Sequence, residues 1–457
     1  MKMEEPYRVM VLEQSQISPS QGSVPRTSLH LTPFDIPWLC LPPVERLFFY
    51  KFSYSTPHFM DTVLPNLKHS LSLTLQHFYP LAGNLTWLPH SSKPEILYVD
   101  GDSITFIVAE SDYDFNSLCG YHARDTNNFY PLVPKLEPIS ETVLPLLALQ
   151  VTIFPNSGIC IGITISHAVA DGKSSNHFMK SWASIYKSGS ILESCPVYDR
   201  TMITDPKEMV TAYLKEYEAF NISRQNLILP NTFTSRIDKV LATFVMGQSE
   251  IERLKKWAAK WTTEKNKKTT ETPLNLSAFV VTCAYVWVCL IKALGANVDK
   301  PREHCIFVME NRARVKPPLP STYFGNCLGL CQTTINTIDL TNEDGVVVAA
   351  EAIAKGIKTT RIRDLRGWDI SLADLFALTS ERVISVAGSP MLRVYDTDFG
   401  WGRPNKVDVI SISGTGAISL SERSDGEAGL EIGLSLKKDE MEAFSSLFSE
   451  TIKDIPQ

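Results

Sequence analysis

Residues 147–186 spell out a strand, a tight turn, a second strand and a helix, with a single histidine at the last junction. Segments 147–154 and 159–166 alternate apolar and smaller residues on either side of Pro155-Asn156-Ser157-Gly158, which predicts an antiparallel hairpin. After Gly172, residues Phe178, Trp182, Ile185 and Tyr186 recur at helical spacing. A hairpin that runs into an amphipathic helix must bury the helix against its own sheet, which points to a mixed α/β architecture. Between the two lies Ser166-His167-Ala168-Val169-Ala170-Asp171-Gly172. The outgoing strand delivers His167 to a turn, and Asp171 and Gly172 open the next element. A neutral imidazole held there can take a proton from a hydroxyl near pH 7, because its unperturbed pKa of about 6.5 lies close by.

The interleaving of strands and helices continues along the chain. Segments 9–14 and 47–52 read as strands, and Leu64, Leu67, Leu71, Leu73 and Leu75 mark a helix closed by Pro80. Segments 96–99 and 104–108 flank Asp100-Gly101-Asp102 and predict a further hairpin. Helices are expected over 208–220, 249–261, 275–294, 345–362 and 438–452, the third with Phe279, Cys283, Trp287 and Leu290 on one stripe. A basic run covers 264–270, and strands are expected over 306–309, 328–334 and 407–412. No repeat at a fixed period of about 20–50 residues is visible. At 457 residues the chain is too long for one ordinary core, so two domains of roughly 200 residues each are expected. Residues 188–240 mix Gly, Pro, Ser, Asn and charge, and read as the connection. This gives an N-terminal domain over 1–200, a crossover linker over 201–235 and a C-terminal domain over 236–457.

The formal net charge of −6 argues against nucleic acid as the main partner. Nine cysteines without a C-x-x-C pair suit reduced thiols in a cytoplasmic compartment. Cys327 and Cys331 have ligand-like spacing, but no His or Cys cluster completes a metal site around them. The polar start of the chain has no apolar signal core, and no run approaches the roughly 20 apolar residues of a membrane span. A cytoplasmic monomer without a permanently bound cofactor or metal is the expectation.

A second segment, Asp398-Phe399-Gly400-Trp401-Gly402, shares three letters with the kinase magnesium motif. No Gly-rich phosphate loop, V-A-I-K strand or H-R-D loop accompanies it, so that reading fails on context. No Ser or Cys sits in a G-x-S-x-G elbow either, which makes direct transfer simpler than an acyl-enzyme.

Taken together, H-x-x-x-D-G near the middle and D-F-G-W-G near the end resemble the paired signature of the plant BAHD acyltransferases. Those enzymes move an acyl group from a coenzyme A thioester to a hydroxyl or amine. Leu31-Thr32-Pro33-Phe34-Asp35-Ile36-Pro37-Trp38 and Phe78-Tyr79-Pro80-Leu81-Ala82-Gly83-Asn84 resemble two further family segments. Tyr323-Phe324-Gly325-Asn326-Cys327 is similar to the subgroup that acylates sugar hydroxyls of anthocyanins and other flavonoid or phenolic glycosides. The resemblance implies two similar chloramphenicol-acetyltransferase-like domains with a solvent channel between them. It implies His167 as general base, Asp171 as an acid that holds the loop, and Arg312 as its partner. Many family members carry Asp where this chain has Glu310. Asp398, Gly400 and Gly402 are implied as a structural segment, with the Trp401 indole N–H offered to the oxyanion. Lys255, Lys256, Ser277 and Ala278 match the neighbourhood of the CoA phosphates, and Gly388 and Ser389 the loop beside the pantetheine arm. Physically, Ser277 opens an apolar helix whose N-terminus suits an anion, although a solvated basic face and an ordinary cap explain the same residues.

The substrates implied are an acyl-CoA and a phenolic or flavonoid glycoside. A malonyl donor carries a carboxylate that must be paired once it leaves water. One turn beyond Asp171 stands the neutral Ser175, and the nearest cations are Lys173, His177 and the more distant Arg403. The polar helix start, Lys173-Ser174-Ser175-Asn176, suits malonyl, with a hydroxycinnamoyl donor as the alternative. An inactive binding paralogue and a metal-dependent hydrolase are the readings from other classes.

Overall fold

The computed structural model describes residues 8–39, 41–190, 194–205, 207–228, 238–265, 275–295, 301–362, 371–378 and 381–454. Residues 206 and 229–235 of the expected linker, and 266–270 of the basic run, lie outside them. The described residues form a mixed α/β fold around a six-stranded, a seven-stranded and a four-stranded sheet.

The six-stranded sheet runs in the order Val9–Ile17, Ile104–Ser111, Leu147–Phe154, Gly158–Ile165, Val44–Lys51, Lys406–Val409. At its centre is the expected hairpin, with Phe154 opposite Gly158 and Leu147 opposite Ile165. Both strands are buried at every position because the sheet is covered on both faces. Ile161, Ile163 and Ile165 pack with Leu71, Phe178 and Trp182 of the helices Leu64–His77 and Gly172–Ser188. Cys160 points the other way, among Phe115, Phe129 and Leu132. The Trp182 indole N–H donates to the Leu67 carbonyl at 3.3 Å and the Ser70 hydroxyl at 3.1 Å, locking the two helices in register.

The seven-stranded sheet runs Leu328–Asn336, Arg302–Glu310, Arg382–Ala387, Ile418–Glu422, Gly429–Lys437, Lys239–Gly247, Arg124–Asp125. The helix Ala278–Leu294 packs on it together with Gly345–Ile362 and Lys438–Asp454. That helix is buried from Val280 to Ile291 on every face, not along one stripe. A helix enclosed between a sheet and two other helices has no solvent side, which its apolar run foreshadows.

Each large sheet takes its edge strand from the other half of the chain. Lys406–Val409 pairs with Val44–Lys51, and Arg124–Asp125 pairs with Lys239–Gly247. The two exchanged strands are joined by a buried ion pair, Arg124 Nη1 to Asp408 Oδ2 at 2.8 Å. Beside it the buried Lys406 reaches Glu431 at 3.2 Å.

Two further expectations are corrected. Segments 96–99 and 104–108 are not a hairpin: Glu95–Tyr98 joins the four-stranded sheet, while Ile104–Ser111 pairs with Val9–Ile17 and Leu147–Phe154. Gly101 makes a turn there, but the strands it joins part into different sheets. The strand expected over 407–412 ends at Val409, and Ile412–Thr415 is a helical turn. The strands Lys239–Gly247, Arg382–Ala387, Ile418–Glu422 and Gly429–Lys437 had no expectation, although Ile418–Glu422 and Gly429–Lys437 alternate between apolar and small or polar residues.

Candidate active site

His167 lies just past the strand Gly158–Ile165, in a turn closed by the Val169 N–H donating to the Ser166 carbonyl at 3.2 Å. Its ring stacks on Trp38, with centroids 3.6 Å apart and planes 6° from parallel. Its main-chain carbonyl accepts from Asn326 Nδ2 at 2.9 Å. Asn326 also donates twice to Asp35 Oδ1, from its backbone N–H at 3.0 Å and its amide at 3.1 Å. The fully buried Asp35 in turn accepts from the Thr32 N–H at 2.9 Å and hydroxyl at 2.7 Å. Three segments far apart in sequence therefore meet at the histidine: 31–38, 164–172 and 323–327.

His167 as a residue keeps partial exposure, while its Nδ1 is sealed and finds no hydrogen-bond partner among the described residues. Nε2 is the nitrogen left for a substrate. Burial pushes the imidazole below its ordinary pKa, against opposing pulls from Asp171, Asn326 and Asp35. A neutral imidazole at pH 7 results, the form that accepts a proton.

Asp171 caps the helix Gly172–Ser188, its Oδ1 accepting from the Ser174 N–H at 2.9 Å. Oδ2 accepts from the Cys327 N–H at 3.2 Å and lies 2.8 Å from Arg312 Nη1. Burial alone would raise its pKa; the Arg312 guanidinium and the two N–H groups more than offset this and hold it below the usual carboxylate range. Arg312 spends its other donors on the Tyr323 carbonyl at 3.0 Å, the Gly325 carbonyl at 2.9 Å, the Ser174 hydroxyl at 3.0 Å and Glu310 at 3.1 Å. Both oxygens of Asp171 are thus held by protein donors, which ties the start of the helix after His167 to Arg312 and Cys327. Glu310 reaches both the Arg312 side chain and its backbone N–H, at 3.0 Å.

Asp398 sits at the far end of the same helix. Its Oδ2 pairs with Lys187 at 2.6 Å, and Oδ1 accepts from the N–H groups of Gly400 at 2.7 Å and Gly402 at 3.0 Å. Both glycines have positive φ, +97° and +93°, which a side chain would strain. Trp401 stacks on Phe399 with centroids 5.2 Å apart and meets Tyr50, Phe52 and Tyr186 edge-on.

Ser277 caps the helix Ala278–Leu294, accepting from the Val280 N–H at 3.3 Å. Lys255 and Lys256 lie on the neighbouring helix Gln248–Lys265; Lys255 is paired with Glu252 at 2.8 Å and Lys256 is exposed. Gly388, at φ +79°, would drive a Cβ to within 2.7 Å of the Leu420 carbonyl. Ser389 caps the turn Pro390–Leu392, whose Leu392 carbonyl accepts from Asn176 and, at 3.2 Å, from Lys180 of the His167-bearing element's helix. Of the cations considered for a donor carboxylate, His177 is buried edge-on against Phe78, and Arg403 is tied to Asp396 at 3.3 Å and the Tyr395 carbonyl at 3.1 Å.

Sequence reasoning gave no role to Asp35, Trp38 or Asn326, although all three stand in segments it singled out. Their signal is an acid, an indole and an amide inside otherwise apolar runs, where a buried polar group must have a partner.

A family model described as "Transferase family" matches residues 7–451. The chain is 39% identical, over 97% of its own length and 97% of the other's, to the malonyl-coenzyme A:anthocyanin 3-O-glucoside-6''-O-malonyltransferase of Dahlia pinnata. It is 38% identical, again over 97% of each, to coumaroyl-CoA:anthocyanidin 3-O-glucoside-6''-O-coumaroyltransferase 1 of Arabidopsis thaliana. Among solved structures, vinorine synthase superposes with a TM-score of 0.68 at 20% identity, covering 96% of this chain and 98% of that one. That likeness shows a shared two-domain fold.

Proposed function

Because the chain belongs to the Transferase family, that of the BAHD acyl-CoA acyltransferases, we propose that it carries a malonyl group from malonyl-CoA to a sugar hydroxyl of an anthocyanin, flavonoid or other phenolic glucoside. His167 is the general base. Nε2 takes the proton of the sugar hydroxyl as its oxygen attacks the thioester carbonyl. The new C–O bond forms while the carbonyl electron pair moves onto oxygen. Collapse breaks the C–S bond, and the imidazolium returns its proton to the departing CoA sulfur. A positioned base of this kind contributes about 10²–10⁴ in rate.

One observation supports this most strongly: a partly exposed imidazole kept neutral by burial, its ring clamped by Trp38 and its backbone by Asn326. Asp171 and Arg312 hold the turn rather than touch substrate. Trp401 is packed among Phe399, Tyr50, Phe52 and Tyr186, and Asp398 ties its turn to Lys187, so we assign residues 398–402 to fixing the helix end instead of binding the oxyanion. Lys256 and the Ser277 helix N-terminus would meet the CoA phosphates, with Gly388 and Ser389 beside the pantetheine arm. Lys255 is a weaker partner because Glu252 already neutralises it. The two relatives favour different donors at nearly equal identity, which keeps a coumaroyl donor as the second reading.

A donor-by-acceptor matrix with product masses tests the reading. Malonyl-CoA with a phenolic glucoside is expected to give the highest kcat/KM. A higher value for coumaroyl-CoA would overturn the donor assignment.

A further inference from the structure

Among the described residues Arg46, Arg124 and Arg312 are buried and Arg200 and Arg382 half-buried, and they do not behave alike. Arg312 and Arg124 are each 2.8 Å from a carboxylate oxygen, of Asp171 and Asp408. Arg200 is 3.5 Å from Asp35, and Arg382 is 2.7 Å from Glu303. Arg46 is 7% exposed, yet its guanidinium makes no hydrogen bond and no ion pair with any described residue. Only its Nε is sealed; the terminal Nη1 and Nη2 hold what access to solvent the residue retains. Glu422 is the one carboxylate whose charge it feels. That acid lies beyond ion-pair distance, its Oε1 is spent on the Tyr395 N–H at 2.8 Å, and burial pushes its carboxyl up toward the neutral form. Burial lowers Arg46 to about 10, so it remains a cation at pH 7.

A buried cation without a contacting anion is unfavourable in a folded protein, and a fold tolerates it where something else supplies the anion. Its position suggests what. Arg46 is opposite Ile163 across the antiparallel pair, so both side chains stand on one face of the sheet. It is the face carrying Phe48, Tyr50, Ile163 and Ile165, against which the helix Gly172–Ser188 packs. Ile163 precedes His167 in the same strand-and-turn run, roughly 13 Å along an extended chain. An arginine side chain and a short acyl group fit that span. Lys180, on the facing helix, also acts on Glu422 but gives its ammonium to the Leu392 carbonyl at 3.2 Å. Among the described residues Arg46 is therefore a buried cation near the site with uncommitted hydrogen bonds; Lys173 is likewise uncommitted but only half-buried, so its charge keeps more of its water.

We propose that Arg46 recognises the free carboxylate of a dicarboxylic acyl donor such as malonyl-CoA, making it the residue that selects an anionic over a neutral acyl group. The assignment rests on the donor reading of the preceding section. Two N–H groups of one guanidinium fit the two oxygens of one carboxylate. The pairing would complete the charge balance of the pocket only when the correct donor is bound.

The test compares malonyl-CoA with acetyl-CoA on wild type, Arg46→Gln and Arg46→Lys, with one glucoside acceptor, alongside equilibrium unfolding. Arg46→Gln is expected to lose roughly 10–100-fold in kcat/KM for malonyl-CoA, mainly through KM, and to stay within about threefold for acetyl-CoA. Arg46→Lys should recover part of the malonyl rate, since it restores the charge without the fork. Unfolding resistance of Arg46→Gln should equal or exceed that of wild type, because no native partner is lost; a purely structural arginine would show the reverse. Should Arg46→Gln not fold, Arg46→Lys still decides: equal losses for both donors overturn the assignment. Parallel losses in Arg46→Gln, which would point to the CoA phosphates common to both donors, overturn it as well and leave the malonyl reading standing. A wild type that turns over coumaroyl-CoA and no malonyl-CoA removes that reading, and the Arg46 assignment with it.

Discussion

Replacing Asp171 by asparagine takes one negative charge out of a pocket built around it. The native carboxylate and the Arg312 guanidinium are 1% and 2% exposed and 2.8 Å apart. Asparagine can still cap Ser174 with its oxygen, preserving the roughly 1 kcal/mol such a cap contributes. Its amide nitrogen, however, meets the Arg312 Nη1 and the Cys327 N–H, donors facing a donor, and the arginine keeps only the more exposed Glu310, 3.1 Å away, as counter-charge. Breaking a buried pair from one side costs about 3–5 kcal/mol. This is a large share of the roughly 5–15 kcal/mol that holds a typical domain folded, so Asp171→Asn should fold but unfold at markedly lower urea. Arg312→Ala should cost at least as much, because the Tyr323 and Gly325 carbonyls also lose their donor. Since each variant alone already forfeits the pair, the double variant should fall well short of the sum, by at least about 1.5 kcal/mol. The pH dependence adds a second readout. Asp171 has a folded pKa below its unfolded value of about 3.9, so its contribution is complete above that pH and is lost as pH falls through the folded pKa. The gap between wild type and Asp171→Asn should therefore stay constant from about pH 7 to 5 and narrow below about 4. Additive energies in the cycle, or a gap that already narrows near pH 6, would refute the pairing.

Two other outcomes follow from the same geometry. Burial lowers the His167 pKa, and the base is active when neutral, so kcat/KM should be flat near pH 7 and fall on an acid limb centred below 6.5; a limb centred above 6.5 would contradict it. Asp408→Asn should lower stability by about 3–5 kcal/mol, measured by urea unfolding, because Arg124 loses the partner that joins the exchanged edge strands; a loss under about 1 kcal/mol would show that the exchange holds without it.

The hairpin before His167 and the helix after it were legible because period-two and period-3.6 patterns follow each other without interruption. Asp171 and Arg312 were reached through resemblance, and no local pattern in the chain links residues that far apart. The strand Gly429–Lys437 was missed although Leu430, Ile432, Leu434 and Leu436 alternate with Gly429, Glu431, Gly433 and Ser435; what the pattern does not show is that Glu431 is buried, held by Lys406, Tyr395 and the Ser424 N–H. Residues 96–108 misled for the opposite reason: the turn chemistry was right, but two larger sheets compete for the strands it joins. Arg46 did leave a mark. In Val44-Glu45-Arg46-Leu47-Phe48-Phe49-Tyr50 it shares parity with Phe48 and Tyr50, so a period-two reading places a charge on the buried face. What no sequence reading supplies is whether such a charge has a partner.

The central claim is proton abstraction from the sugar hydroxyl by His167, and steady-state turnover of His167→Ala measures it most directly. With malonyl-CoA and a phenolic glucoside, kcat should fall at least about 100-fold, while urea unfolding shows the variant still folded. A variant that keeps more than about a tenth of the wild-type kcat would place the base elsewhere and contradict the account.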